Sequence, residues 1–331
     1  MLKKILITLG VLSAGVLAVC AATSGSQYVY YGPNSVPQNT TTQTTYQTPA
    51  APKSEYPTYN YSQADEPVIT TTVGQLPAGS YILDKDSLWK FRADVNYSGK
   101  ILAEVPVVWQ KIEDNHFQPN TTLLLSKYDV ALTSWTWKYG LEYYTAWDNS
   151  RVRDFLRTTF YNHLSQKFKN AIVEVDIPYI DLKGNIQTIK DNLFLLSVAE
   201  WGLAKSADPK NKTNYVNEGK PILYPDLSNT YPADTMRGYE CTWLDNKIFN
   251  LYDNNGTYYY PTRTIFKNSV GYGANTLGIN GNGYIRSAEV FNTRPAVNIT
   301  SSTVVKGPYI FKYFSHCGAN AKTRKFYEIV E

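Results

Sequence analysis

The chain has 331 residues, 32 of them basic and 28 acidic, and its formal charge of +4 includes two lysines near the start. The charges are well mixed and no dense Lys/Arg run occurs, so a nucleic-acid partner is not expected. Three cysteines and three histidines, with no CxxC pair and no Cys/His cluster, give no metal-site or cofactor signature.

Lys3 and Lys4 precede an apolar run, Ile5 to Val19, shorter than the ~20 residues that cross a bilayer. With small residues at Ala21, Ala22 and Ser24, residues 1–22 read as a secretion signal. Leu17-Ala18-Val19-Cys20 also resembles a lipobox, which would acylate Cys20 and tether the N-terminus to a membrane, although Val19 is a poor residue before the cut. A retained anchor is the third reading. Each places the remainder outside the cytoplasm, secreted or held at the cell envelope. Residues 23–73 are rich in Thr, Gln, Ser, Pro and Tyr and nearly free of aliphatics. Such a stretch cannot bury enough apolar surface to offset its backbone ordering, which predicts a disordered stalk. A docking peptide around Tyr28 to Tyr31 is the alternative.

A globular domain is expected over 74–300. Leu76-Pro77-Ala78-Gly79 is a turn signal followed by a short strand, Ser80 to Leu83. Trp89 to Val95 and Ile101 to Ile112 alternate as strands, and Thr122 to Ser126 is a short apolar run suited to a core strand. The aromatic segment Trp135 to Trp147 leads into the longest amphipathic pattern of the chain. Asn149 or Ser150 can cap it, and Val152, Phe155, Leu156, Phe160, Leu164 and Phe168 make one apolar stripe. The spacing predicts a single long helix against which the β-rich remainder packs. At Val173 the period becomes two, which predicts a strand ended by Pro178.

Lys183-Gly184-Asn185 reads as a turn and Asn192 to Leu196 as a strand. Ser197 then caps a helical turn, Val198 to Lys205, with Glu200 at the third position. Ala207 to Thr230 reads as a long polar loop. Tyr258 to Phe266, Ser269 to Tyr272 and Tyr284 to Ser287 are predicted strands, with a tight turn at Gly278 to Gly283. Ala296, Val297 and Ile299 close the core. Val304 to Phe314 and Lys325 to Val330 are expected to pair as a β ribbon, a C-terminal extension of the domain over 301–331.

Trp147-x-x-Ser150-x-x-Arg153-x-x-Leu156, then Asp191-x-Leu193-Phe194-Leu195-Leu196-Ser197-x-x-Glu200, then Arg294-Pro295-Ala296-Val297, resemble a bacterial family catalogued as domain of unknown function 6273. The resemblance covers roughly Leu76 to Ile299. Two departures stand out. Phe155-Leu156-Arg157 replaces the family's Trp-Leu-Asn, and its Trp-x-Leu-Arg-Ser strand is replaced by Tyr260 to Thr264 or by Trp243-Leu244-Asp245. The resemblance implies an α+β fold, a C-type-lectin-like mixed twisted sheet with one long amphipathic helix and long irregular loops. It implies no chemistry, which has to be argued from a site.

Arg153 and Arg294 either hold an anionic ligand or act as structural guanidiniums bonded to carbonyls, Asp191 or Glu200. No G-x-S-x-G or H-E-x-x-H motif supports an enzyme. Glu174, Asp176, Asp191 and Glu200 could supply a carboxylate pair for glycoside hydrolysis, a weak signal in any protein. Cys241 and Cys317 form one disulfide or remain two buried thiols. The 28 tyrosines and 7 tryptophans suit an extracellular binding surface, with Tyr258, Tyr259, Tyr260, Tyr272 and Tyr284 as candidate ligand contacts. The alternative is that these rings pack a thin core. The expectation is a non-catalytic module for glycan or a surface protein. A structural envelope component is the second reading.

Overall fold

The computed structural model describes residues 60–92, 101–127, 130–135, 145–207, 214–224, 260–267, 272–279, 285–288, 290–314 and 321–330. In chain order the strands are β1 (Asn60–Gln63), β2 (Ile69–Thr72), β3 (Tyr81–Arg92), β4 (Ile101–Asp114), β5 (Thr121–Ser126) and β6 (Ala131–Ser134). After the helical region come β7 (Val175–Ile180), β8 (Ile186–Asp191), β9 (Leu193–Phe194), β10 (Tyr260–Lys267) and β11 (Tyr272–Ile279). The last are β12 (Ile285–Ala288), β13 (Val290–Thr293), β14 (Ala296–Thr300), β15 (Val304–Phe314) and β16 (Ala321–Ile329).

Nine of them form one sheet in the order β1-β15-β16-β3-β4-β5-β14-β9, with β2 also paired to β15. The sheet is mixed: β16 and β3 run parallel, and its other pairs are antiparallel. β10-β11-β12, β13-β6 and β7-β8 are small antiparallel sheets beside it. In β4, Val107, Trp109 and Lys111 are buried, and so are Val108 and Gln110 on the opposite face. The sheet centre is therefore covered on both sides. β5 is buried at every residue, as its apolar run predicts.

The helix over 151–163 lies on this centre. Ser150 caps it by accepting the Arg153 N–H at 3.2 Å. An α turn, Arg151–Asp154, passes into a π segment, Phe155–Phe160, and ends in Tyr161–His163. A π turn holds more residues than an α turn. Its wider period keeps Leu156 and Phe160, four apart, on the face that meets the sheet. Phe160 packs edge-on to Trp89 at 4.8 Å between ring centres, with Phe155 at 6.0 Å. Burying each such phenylalanine contributes about 1.5–3 kcal/mol.

The helix does not continue to Phe168. Leu164 turns extended, and Ser165 starts a second helix, Gln166–Ala171, by accepting the Phe168 N–H at 3.1 Å. The break lets Phe168 stack on Trp109 at 5.1 Å with the rings 10° apart. A bulge in β3 completes the junction. The register with β4 slips between Asp84 and Leu88, turning Asp84 and Ser87 inward, where the Ser165 N–H bonds both.

Several other expectations are corrected. Pro178 sits inside β7, opposite Thr188, rather than ending it; a two-stranded ribbon leaves one edge of each strand free to tolerate the missing N–H. The strands predicted at Ser80 to Leu83 and from Trp89 are one strand, β3, and residues 93–95 of the second lie outside the described residues. Gly278 and Ile279 belong to β11, between β10 and β12, and residues 280–283 of the predicted turn lie outside the described residues. The C-terminal strands β15 and β16 pair antiparallel as expected, but the ribbon is not an added one, because β16 also pairs with β3 inside the main sheet. The stalk reading extends to 73, but β1 and β2 run along β15. Just past β2, the buried Lys111 ammonium grips the carbonyls of Val73, Gly74 and Leu76 at 3.0, 3.0 and 2.7 Å. Residues 1–59 lie outside the described residues.

Candidate functional site

The motif residues assemble into three buried polar clusters. In the first, Asp191 at the end of β8 accepts the Trp147 indole N–H at 2.7 Å and the Arg153 Nε–H at 2.9 and 3.0 Å. Arg153 Nη2 lies 2.8 Å from the same carboxylate, and its Nη1 donates to the Asp148 carbonyl at 2.9 Å. Ser150 fixes the turn between them, donating to the Trp147 carbonyl at 3.0 Å. Leu156 is fully buried one turn on. Arg157 reaches within 3.9 Å of Asp191 but is half exposed, so it adds little. Tyr179 is pushed above its ordinary value, first by burial and then by the Asp148 charge.

The second cluster centres on Arg263 of β10, which no candidate set from the sequence contains. Ser197 and Glu200 make a reciprocal cap: the Glu200 N–H donates to Ser197 Oγ at 3.1 Å, and the Ser197 N–H to Glu200 Oε2 at 2.9 Å. The expected helical turn after Ser197 is a run of turns, and regular helix covers Ala204–Ala207. Arg263 Nη1 and Nη2 then clasp Glu200 at 2.6 and 2.5 Å. Its remaining donors go to the carbonyls of Pro178 at 2.7 Å, Leu195 at 2.8 Å and Glu218 at 3.0 Å. All five guanidinium hydrogens are used. Beside the pair lies Glu218, fully buried, whose Oε2 accepts the Thr264 hydroxyl. Gly219, at φ +135°, lets the backbone pass so close that an added Cβ would stand 2.6 Å from Glu200 Oε1.

The third cluster is the Arg294-Pro295 block. Arg294 Nε donates to the Ser126 carbonyl at 2.6 Å, and the Pro295 carbonyl accepts the Ser126 N–H at 2.8 Å. The guanidinium lies 5.6 Å from the Tyr260 ring and 6.0 Å from that of Trp201, and those rings are 5.1 Å apart.

Tyr260 is therefore a core residue, 2% exposed, and not a surface contact for a ligand. Tyr272 opens β11 opposite Lys267. Tyr258, Tyr259, Tyr284, Cys20, Cys241 and Cys317 lie outside the described residues. Of the carboxylates considered for hydrolysis, Glu174 and Asp176 are exposed, whereas Asp191 and Glu200 are engaged by different arginines. His116 pairs with Glu113 at 3.1 Å, and His163 contacts the Thr159 carbonyl at 2.7 Å. Among the described residues no group of three His, Cys, Asp or Glu could hold a metal ion, and no helix is long and apolar enough to cross a membrane.

Fold and clusters define an α+β domain in which buried arginines tie a mixed, mostly antiparallel sheet to the helix over 151–163 and to the strands beside it. Residues 119–301 match the family described as Domain of unknown function (DUF6273), and the chain belongs to that family. All three clusters draw their motif residues from the matched span. Comparison with curated proteins and with solved structures gave no match.

Proposed function

We propose that this chain is an extracytoplasmic binding module, secreted or held at the envelope by its N-terminus, that engages a glycan or a surface protein through connections between Trp201 and Tyr284. The observation that carries this reading is the fate of the motif charges. Arg153, Glu200 and Asp191 are spent on one another or on Arg263, and Arg294 on a carbonyl and two rings. A family motif so employed acts as a frame, and recognition then belongs to the connections the frame carries. The signal-like N-terminus and the Tyr-rich sequence of 258–284 support the same reading, as does an architecture of mixed sheet and one helix longer than the rest that we read as C-type-lectin-like. Tyrosine rings can cover the C–H face of a sugar or anchor a protein interface at low entropic cost.

The test is binding of the purified chain, lacking residues 1–22, to glycan arrays and to intact cells. Tyr258→Ala with Tyr259→Ala should weaken attachment tenfold or more while Tm moves by a few degrees at most. Unchanged attachment in the double variant, or none by the parent, would overturn the proposal. Self-association of the parent in place of ligand binding would favour a structural envelope role.

A further inference from the structure

The Glu218 carboxylate stands in the second cluster without a share of its guanidinium, which of this residue reaches only the carbonyl. The five donors of Arg263 reach Glu200, three carbonyls and nothing on the Glu218 carboxylate. One Glu218 oxygen has the Thr264 hydroxyl, which itself accepts the Val198 N–H at 2.9 Å; the other has no partner at full hydrogen-bond geometry, with the Ile180 main chain of β7 the weak donor that faces the carboxylate. The charged groups facing it are Arg263 from β10 and Glu200 from the turn after β9, while β7 presents the Ile180 main chain and Lys220 of its own segment is exposed. With both glutamates ionised, two carboxylates would share one positive charge out of contact with water, a costly arrangement for the one left short of donors.

The segment that carries Glu218 is also held by Tyr215 and Ile222, both buried in the core, by the Arg263 bond to the Glu218 carbonyl, by the Leu223 N–H on Glu113 and by a few further polar ties. The Lys267 N–H donates to Tyr215 Oη at 3.1 Å and Asn214 Nδ2 to the Gly184 carbonyl at 2.6 Å. The Ile222 N–H donates to the Glu200 carbonyl at 3.0 Å. We propose that the segment 214–224 is a pH-sensitive latch over the Arg263–Glu200 pair, seated when Glu218 carries a proton and loosened when it ionises. Burial pushes Glu218 from 4.5 up to about 7; the Arg263 charge, the Thr264 hydroxyl and, least, the Ile180 main chain pull back, and Glu200 pushes the same way as burial.

The sign follows from an acid whose value is raised when seated. The proton's contribution to closure is complete below 4.5, is lost progressively as pH rises toward about 7, and is gone above it. That interval corresponds to a change in the closed-to-open ratio on the order of a hundredfold. The latch needs no ligand and stands apart from the binding reading.

Hydrogen exchange across 214–224 in the full chain, corrected for intrinsic rates, tests it. Protection should fall on the order of a hundredfold between about pH 5 and about pH 8, and Glu218→Gln should stay protected at both. Flat protection in the parent, or an unaltered pH response in the variant, overturns the latch. Should the variant fail to fold, carboxyl-13C NMR of the parent decides: a glutamate titrating near 7 supports the proposal, and its absence overturns it.

Discussion

Arg153 and Asp191 lie 38 residues apart and meet through both the Nε and Nη2 of the guanidinium, joining the start of the long helix to the end of β8. The Trp147 indole completes the carboxylate's partners, so one ion pair fixes the entry angle of the helix. Asp191→Ala should leave Arg153 charged and buried without its partner, costing about 3–5 kcal/mol. Urea unfolding with an unchanged m-value checks it. Replacing both partners by apolar residues should cost less than the single change.

Phe160→Ala should cost about 3–5 kcal/mol, since the ring is fully buried against Trp89. Lys167→Ala, at an exposed pair with Asp86, should cost under ~0.5 kcal/mol. Equal losses in thermal unfolding would contradict the helix's place at the core.

Ser165→Ala removes the cap of the second helix and should cost about 1 kcal/mol. Its amide would still reach Asp84 and Ser87, so the loss should be local. Faster exchange over 166–171, with 151–163 unaffected, is the expected pattern.

Gly219→Ala should destabilise by at least about 2 kcal/mol, because the new Cβ meets Glu200 and the backbone conformation is strained for any L side chain. Chemical denaturation measures it, and a neutral result would mean the 218–219 backbone does not approach Glu200 as described.

Asp84 is pushed above 3.8, chiefly by burial, with the Ser87 and Ser165 hydrogen bonds pulling back. The folded chain therefore holds this proton more tightly than the unfolded one, and the associated stability is lost as pH rises from 3.8 through the raised value. Asp84→Asn abolishes the titration. The Tm difference between variant and parent should move in the variant's favour as pH rises through that window.

Elements with local signals were legible. Ser150 ahead of an apolar stripe marked the helix start, the Ser197/Glu200 spacing marked a cap, and the apolar run of β5 marked a core strand. The helix break was not, because the stripe runs unbroken through Leu164 and Ser165 looks like any polar-face residue. β11 was hidden by glycines that resemble a turn until β10 and β12 are seen on either side. Arg263 was missed because Glu200 lies 63 residues away, and no local pattern announces a partner at that distance. One signal existed: Tyr260 to Thr264 stood where the family has a strand ending in Arg-Ser. Glu218 lay in a stretch read as polar loop, where a glutamate suggests solvent.

β1 and β9 close the two ends of the main strand order. Seven inter-strand steps of about 4.8 Å set them about 34 Å apart along the sheet, before twist. The N-terminal segment thus enters at one rim, while the connection after β9, with Ser197 and Glu200, departs from the other. The sheet is a built-in spacer: the point at which the chain joins the domain, Asn60 on β1, lies a sheet's width from the β9 rim that carries the motif clusters' connection.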